Sequence, residues 1–393
     1  MKPEKSKNKG KTKSRIGRII IYVVGTLGIL IVLIFFLLNF YITQQQRPQP
    51  RGPYLQSVTP HSIWVVWETT EPTIGRVEYG LTRDLGWVVE EKTPVLRHAV
   101  QLKGLDPYTD YYYRVDLDEI ARFRTAGDSS QTNFSFAVFG DTRSSHSIHK
   151  KIIKQMTALE PDFVLHTGDL VESGRFHSEW NRFFKIEAPL LRISPFYPTL
   201  GNHEEYLPGN FNHLYIELFH LPGNELWYSF DYGNAHFLCL KADGDPRDDF
   251  TPDDEQILWL EEQLATNEAP WLFVFFHVGI FTSRNEDTLE IELRDRLVPL
   301  FEAYDVDAVF MGHHHSYERI LVNGINYIVT AGGGASLYDF SQPEPGSKAA
   351  ILEHHFVSIE VEEHRLLAKV INKNGDIIDR FELYSNQSDK RYK

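Results

Sequence analysis

The chain has 393 residues and a formal net charge of −14, so it is long enough for two domains, and its overall charge is acidic. Proteins that bind nucleic acid present basic surfaces to the backbone phosphates, so this composition gives no indication of a nucleic-acid partner. The single cysteine, Cys239, excludes a disulfide within this sequence and a cysteine-cluster metal site. Any metal must be held by His, Asp, Glu, Asn or Tyr side chains.

The first 42 residues have the pattern of a membrane anchor. A basic tail at 1–18 precedes an apolar segment at 19–42 that has no charged residue. A helix of that length spans roughly 36 Å, enough for a bilayer core of about 30 Å. A cleaved signal peptide is the alternative, disfavoured by the long apolar run and by the lack of a small-residue cleavage site after it. The positive-inside rule then predicts a cytoplasmic N-terminus, a single-pass anchor in the cell membrane and an extracytoplasmic body.

Residues 51–127, which follow a polar linker at 43–50, have the pattern of an all-β domain. In YYYRVDL, at 111–117, apolar and polar side chains alternate, and SIWVVWET, at 62–69, is apolar on both faces. Turn-forming sequences separate these runs. The segment therefore predicts a β-sandwich of fibronectin type III size.

From residue 133 onward, apolar strand patterns alternate with helical patterns. This alternation predicts a layered α/β domain over 133–385, followed by a tail at 386–393. Five short motifs occur within the domain, in the order FGDTR, HTGDLVE, GNHE, FFHVG and GHHHSYER. Each follows an apolar run, so each places polar residues on a loop at a sheet edge, where layered α/β folds bind ligands.

The motifs contain oxygen and imidazole side chains of the kind that divalent cations prefer. Taken singly, each has an ordinary explanation, such as a turn aspartate or a buried histidine; together, and in this order, they predict a metal site. Six ligands are too many for one tetrahedral ion, so we expect two divalent or mixed-valence ions (Fe, Mn or Zn) that share a carboxylate and acidify a bridging water. The predicted ligands are Asp141, Asp169, Asn202, His277, His313 and His315.

The ordered motifs resemble the calcineurin-like metallophosphoesterases. SYER, at 316–319, and WYSFDYGNAHFLCLKAD, at 227–243, are similar to the purple acid phosphatase branch, and PYLQSVTPHSIWVVWET, at 53–69, resembles the β domain that precedes the catalytic domain there. The resemblance implies a four-layer α/β/β/α metallophosphoesterase sandwich preceded by an all-β fibronectin III-like sandwich and one N-terminal transmembrane helix. It also implies that Asp169 bridges two ions, that Asp141 and His315 complete the shell of the first, and that Asn202, His277 and His313 hold the second.

Two residues depart from the pattern of these families. Arg143 stands where the general superfamily has a histidine ligand, and Glu172 stands where purple acid phosphatases have a tyrosine ligand. The first ion could therefore be under-coordinated, could take Glu172 as a ligand or could recruit water. The purple colour of the family arises from charge transfer with the tyrosine ligand, so it is not expected here.

The resemblance and the ligand set predict hydrolysis of phosphate monoesters by attack of a metal-bridging hydroxide, on a phosphorylated small molecule and without an obligate protein partner. His203 is expected to protonate or polarise the leaving oxygen. Arg143 would grip the phosphate or form a salt bridge, with Arg284 a further candidate, and His314 would face substrate or water. The alternatives are a phosphodiesterase or pyrophosphate hydrolase acting on nucleotides or lipid-linked phosphates, and a catalytically inactive cell-surface binding protein.

Overall fold

The computed structural model describes residues 22–37, 39–40, 49–116, 118–204, 213–242, 254–284 and 288–385. Helix α1 covers the described residues 22–37 and 39–40, and the basic tail at 1–18 lies outside the described residues. Within the described ranges, no helix is both long and apolar enough to cross a membrane. The predicted transmembrane anchor over 19–42, with its extracytoplasmic localisation, is therefore wrong.

The segment that follows the linker forms two antiparallel sheets. One has the strand order β1–β2–β5 and the other β4–β3–β6–β7. In β6 the buried and partly exposed side chains alternate, as the sequence pattern predicted. The fibronectin type III character of this β domain stays a prediction. Its strands are β1 (Arg51–Thr59), β2 (Ser62–Thr73), β3 (Arg76–Gly80), β4 (Trp87–Glu90), β5 (Val95–Lys103), β6 (Asp110–Val115) and β7 (Ala121–Arg124).

The α/β region contains two larger sheets. The six-stranded sheet has the order β10–β9–β8–β18–β19–β20, and the seven-stranded sheet has the order β11–β12–β13–β14–β16–β15–β17. Its strands are β8 (Asn133–Phe139), β9 (Phe163–His166), β10 (Phe196–Pro198), β11 (Tyr228–Tyr232), β12 (Ala235–Cys239), β13 (Trp271–Phe275), β14 (Ala308–Met311), β15 (Tyr317–Val322), β16 (Ile325–Thr330), β17 (Ser347–Ile351), β18 (His355–Glu362), β19 (Arg365–Asn372) and β20 (Ile377–Tyr384). The helices are α2 (His146–Leu159), α3 (His177–Leu191), α4 (His213–Leu218), α5 (Asp254–Thr266) and α6 (Thr288–Ala303).

The central strands are parallel and buried on both faces, as covered parallel sheets require. Aromatic rings fill the space between the two sheets: Phe136 of β8 lies 5.4 Å from Phe237 of β12 and 5.8 Å from Phe273 of β13, between ring centroids. On the opposite face of the seven-stranded sheet, Leu238 and Val274 belong to a second cluster that includes residues of α5 and α6. Helices α2 and α3 contact each other and pack on the six-stranded sheet. The predicted four-layer α/β/β/α order is confirmed.

The β domain shares its core with the α/β region. Tyr54 of β1 packs its ring 4.8 Å from that of Phe184 in α3, and both belong to one buried cluster. Tyr113 of β6 donates a hydrogen bond of 2.9 Å to the carbonyl of Arg192, just after α3. The apolar core is therefore continuous between the segment predicted as one domain up to residue 127 and the segment predicted as another from residue 133.

Candidate metal centre

The five motif loops meet because the strands before them end at one edge. β8 and β9 are parallel neighbours in the six-stranded sheet, and β13 and β14 are parallel neighbours in the seven-stranded sheet. Backbone hydrogen bonds join their loops: the amide of Asp141 donates to Gly168 at 3.0 Å, and the amide of Gly312 donates to His277 at 2.8 Å. The sheet packing thus brings together residues that are up to about 175 positions apart.

Three of the predicted ligands have a backbone conformation that L-residues rarely adopt. The φ angles of Asp141, Asp169 and His313 are 57°, 56° and 66°. Such left-handed residues concentrate at functional sites, where the surrounding structure holds them in place. Gly312 is constrained by space rather than by its φ angle: a Cβ there would lie 2.8 Å from Asp141 Oδ2 and 3.0 Å from His277 Nδ1. The loops approach too closely for any side chain at that position.

Four of the predicted ligands converge, and we call them the histidine half: Asp169, Asn202, His277 and His313. Asn202 Oδ1 lies 3.1 Å from His277 Nε2 and 3.2 Å from His313 Nδ1, and these two nitrogens are 3.2 Å apart. Asp169 Oδ1 lies 3.4 Å from His277 Nε2. Four side chains from four loops therefore direct their ligand atoms at a common position.

The protonation of the histidine half fits a cation. His277 Nδ1 faces the carbonyl of Thr167 at 2.8 Å, so this nitrogen carries the proton and Nε2 presents a lone pair to the cluster. Burial and the neighbouring His277 and His314 hold the pKa of His313 well below its ordinary value, so its ring is neutral. Neutral imidazole nitrogens together with carboxylate and amide oxygens are ligands that divalent cations prefer, so these residues fit a metal ion. Asp141 is close by: ligand atoms of Asp141, Asp169 and His277 lie within 4.8 Å of one another.

The remaining predicted ligands, Asp141 and His315, lie beside Arg143 and Glu172, and we call these four residues the arginine half. His315 Nε2 lies 3.3 Å from Asp141 Oδ1. The Arg143 guanidinium is between the ligand atoms: its Nε donates to Asp169 Oδ2 at 3.0 Å and its Nη2 lies 3.3 Å from His315 Nε2. Burial lowers the pKa of Arg143, but the charges of Asp169 and Asp141 outweigh it and hold the pKa above its usual value.

Asp169 contacts residues of both halves. Burial acts to raise its pKa, yet His277, His203 and Arg143 together hold the pKa of this carboxyl below its ordinary range. Asp169 is therefore ionised across the neutral pH range, which suits its predicted role as a metal ligand.

Sequence reasoning gave Glu204 no role, although it is the last residue of the GNHE motif. Its buried carboxylate accepts hydrogen bonds from the amides of Asp169 and Gly201, both at 2.9 Å, and from that of Val171 at 3.2 Å. Burial and the nearby Asp169 raise its pKa. Glu204 thus ties the second motif loop to the third, and its place in a ligand-bearing motif was the only signal for it.

A cavity of about 450 Å³ opens beside the histidine half. His203 Nδ1 donates to the carbonyl of Glu172 at 2.7 Å, and its other ring nitrogen, Nε2, lies 3.9 Å from Asp169 Oδ2. His314 Nε2 lies 2.7 Å from Glu290 Oε1, and the Arg284 guanidinium stacks over the Tyr338 ring at 4.2 Å. Glu290 and Tyr338 lie outside every motif and were missed. The cavity is lined by Arg143, Asn202, His203, Arg284, Glu290, His313, His314 and Tyr338.

The predicted site residues are therefore neighbours, while their roles stay predictions. Comparisons with known proteins match this geometry. Residues 134–317 match the family described as calcineurin-like phosphoesterase. A solved purple acid phosphatase from yellow lupin (Lupinus luteus) seeds has a TM-score of 0.75 at 22% identity, over 87% of this chain and 75% of that one, which shows a common fold.

Some of the sequence relatives are named as phosphatases, and others are named as probable inactive phosphatases. The chain is 28% identical over 270 residues to a phosphoenolpyruvate phosphatase of Allium cepa, covering 63% of this chain and 55% of the relative. It is 26% identical over 363 residues to a probable inactive purple acid phosphatase of Arabidopsis thaliana, covering 75% of this chain and 57% of the relative. The chain thus spans just over half the length of these relatives. The comparisons support the prediction of a metal-dependent phosphatase: residues 134–317 are similar to the calcineurin-like phosphoesterase family, and the relatives include purple acid phosphatases.

Proposed function

We propose that the chain is a metal-dependent phosphoesterase that hydrolyses phosphate monoesters. The observation that carries this proposal is the convergence of four candidate ligand atoms, in the histidine half, at the wall of a cavity lined by imidazole and guanidinium groups. A divalent ion held there would neutralise phosphate charge and lower the pKa of a water molecule toward neutrality. The β domain at 51–127 is proposed to be fibronectin type III-like and to support the catalytic region through their common core.

His203 is proposed to act as the general acid. Its Nδ1 proton is committed to the carbonyl of Glu172, so a proton on Nε2 is the one it can transfer. Nε2 lies 3.9 Å from Asp169 Oδ2, at the side of the histidine half. His203 would therefore give the Nε2 proton to the leaving oxygen as the bond between phosphorus and that oxygen breaks.

Cationic side chains on the cavity wall would bind the phosphate. Arg143 lines the cavity with a guanidinium whose position Asp169 and Glu172 fix, and Arg284 is fixed by stacking on Tyr338. Guanidinium groups donate paired N–H bonds to phosphate oxygens, so two of them orient one phosphoryl group. His314, beside Glu290, would donate to a more distant part of the substrate.

The Allium cepa relative is a phosphoenolpyruvate phosphatase, and phosphoenolpyruvate is a phosphate monoester, so this relative favours a monoester over a diester as the substrate. Phosphodiester or pyrophosphate hydrolysis is the second candidate, because the same ligands suit those reactions. A catalytically inactive binding protein is the third; the position of Arg143 among the ligand atoms and the inactive names of some relatives favour it.

The experiment is a turnover assay on the purified chain, stripped of metal and reloaded separately with Mn²⁺, Zn²⁺ or Fe²⁺. An aryl phosphate monoester, a diester and a pyrophosphate are compared. We expect metal-dependent phosphate release from the monoester, lost in His313→Ala and kept in the control His364→Ala, whose imidazole lies on the β18–β19 turn. Full metal loading without turnover on any substrate would leave the inactive binding protein as the explanation.

A further inference from the structure

We propose that the Arg143 guanidinium takes the place of the first metal ion, so that the chain binds a single ion, in the histidine half. This inference rests on the proposed function in one respect, since it assumes an ion among Asp169, Asn202, His277 and His313. It replaces the two-ion expectation for this chain.

The contacts of Arg143 are those that an ion would need. The resemblance assigns Asp141, Asp169 and His315 to the first ion. Arg143 Nε donates to Asp169 Oδ2 at 3.0 Å, and Arg143 Nη2 lies 3.3 Å from His315 Nε2. The other nitrogen of His315, Nδ1, faces the carbonyl of Ser336 at 2.7 Å and carries the proton, so the lone pair on Nε2 accepts from Arg143. Two of the three ligand lone pairs are therefore engaged by one guanidinium.

An arginine side chain excludes an ion in two ways. It has five donors and no acceptor, so it cannot become a ligand in place of the missing histidine. It also keeps its positive charge at every working pH, and a divalent ion a few ångströms away would be repelled within a site of low dielectric. The Arg143 side chain is only 14% exposed, so water screens this repulsion little.

Glu172, the residue at the tyrosine-ligand position, does not complete a metal shell. Its Oε2 accepts a hydrogen bond of 2.6 Å from Ser144 Oγ, and its Oε1 lies 3.5 Å from Arg143 Nη1. Its side chain is 50% exposed, whereas Asp141 and Asp169 are buried. Asp141 Oδ1 has no hydrogen-bond partner among the described residues. Asp141 Oδ1 is therefore the one atom assigned to the first ion that has no hydrogen bond here, and the positive charge of Arg143 balances its negative charge.

The chemical consequence is that a fixed side-chain cation does part of what a second ion would do. Arg143 balances Asp141 and Asp169 permanently and faces the cavity where the phosphate would lie. A phosphoryl group would then lie between one exchangeable ion and one immobile guanidinium. Metal loading should follow a single-site isotherm.

The experiment counts metal rather than turnover. The full chain is stripped with chelator, titrated with Mn²⁺ by calorimetry, desalted and assayed for bound metal, and the Mn²⁺ spectrum is recorded by electron paramagnetic resonance. We expect one ion per chain, a mononuclear spectrum, and retention of that ion in His315→Ala. Two ions with an exchange-coupled spectrum would overturn the inference and leave the proposed function intact. One bound ion without turnover on any substrate would overturn the proposed function and leave the single-ion inference intact.

Variants of Arg143 test whether the guanidinium is the cause. Arg143→His and Arg143→Gln remove the charge, and we expect each to bind two ions, with exchange coupling between two Mn²⁺ ions; two variants are used because one of them could fail to fold. Arg143→Lys keeps a cation and should stay at one ion. The matched control is Arg284→Ala, an arginine of the same cavity that stacks on Tyr338, which should also stay at one. Neutral Arg143 variants that fold and still bind one ion would overturn the assignment.

Discussion

The two halves of the candidate metal centre are built from the same loops and have different chemistry. In the histidine half, ligand atoms of Asn202, His277 and His313 lie 3.1–3.2 Å apart. In the arginine half, the Arg143 guanidinium lies beside His315 Nε2 and also donates to Asp169 of the histidine half. Both halves contain a left-handed aspartate, so backbone geometry does not distinguish them.

The difference teaches that a ligand list and a metal count are separate properties. All six predicted ligands are present. In this account, however, the Arg143 side chain occupies the position at which Asp141, Asp169 and His315 would hold the first ion. The predictions below test the two halves against each other.

Asp169→Asn should have the largest effect because Asp169, a member of the histidine half, also contacts the arginine half. The substitution removes a carboxylate that faces His277 and pairs with Arg143, leaving a buried arginine without this partner. We expect monoester turnover to fall roughly 10²- to 10⁴-fold, the range found when one catalytic group is lost. Initial rates at saturating metal and substrate measure this, and a rate within a factor of two of the parent would contradict the shared role.

His203→Gln should have a smaller effect that depends on the leaving group. If His203 supplies the proton, loss of rate should be roughly 10²-fold for an alkyl phosphate and near zero for a nitrophenyl phosphate, whose leaving oxygen needs no proton. A plot of rate against leaving-group pKa measures the difference in slope. An equal loss on both substrates would instead make His203 a positioning residue.

Glu204→Gln and Glu172→Gln compare the stability contributed by a buried carboxyl group beneath the histidine half with that of a half-exposed one in the arginine half. Glu204 uses both carboxylate oxygens to accept three amide hydrogen bonds, and the Gln amide would turn an N–H toward one of these donors. We expect the unfolding free energy to fall by about 1–3 kcal/mol. Glu172, half exposed, should change it by about 0.5 kcal/mol or less. Urea denaturation of both variants provides the measurement, and equal losses would mean that Glu204 does not hold the loops.

Sequence reasoning was strongest where a residue's position follows from its own strand. Asp141, Asp169, His277 and His313 each come two or three residues after a buried strand, and parallel strands end at a common edge, so their proximity could be predicted. The alternation of strands and helices predicted a layered α/β domain, and the family resemblance implied its four layers.

The contacts that the sequence could not predict join residues far apart in the chain. Arg143 and His315 are 172 positions apart, and the guanidinium could equally have faced phosphate. Glu290 and Tyr338 come from a helix and a loop without motifs, and only the packing of α6 and the loop before β17 brings them to the cavity. The anchor prediction is wrong because no helix among the described residues is both long and apolar enough to cross a membrane, and an apolar run in the sequence does not by itself specify such a helix.

The most direct measurement is the anomalous diffraction of crystals of the chain grown with Mn²⁺, recorded above the manganese absorption edge. The account predicts one anomalous peak, at bonding distance from Asn202 Oδ1, His277 Nε2 and His313 Nδ1, with Arg143 still paired to Asp169. A second peak between Asp141 and His315, with the guanidinium displaced, would contradict it.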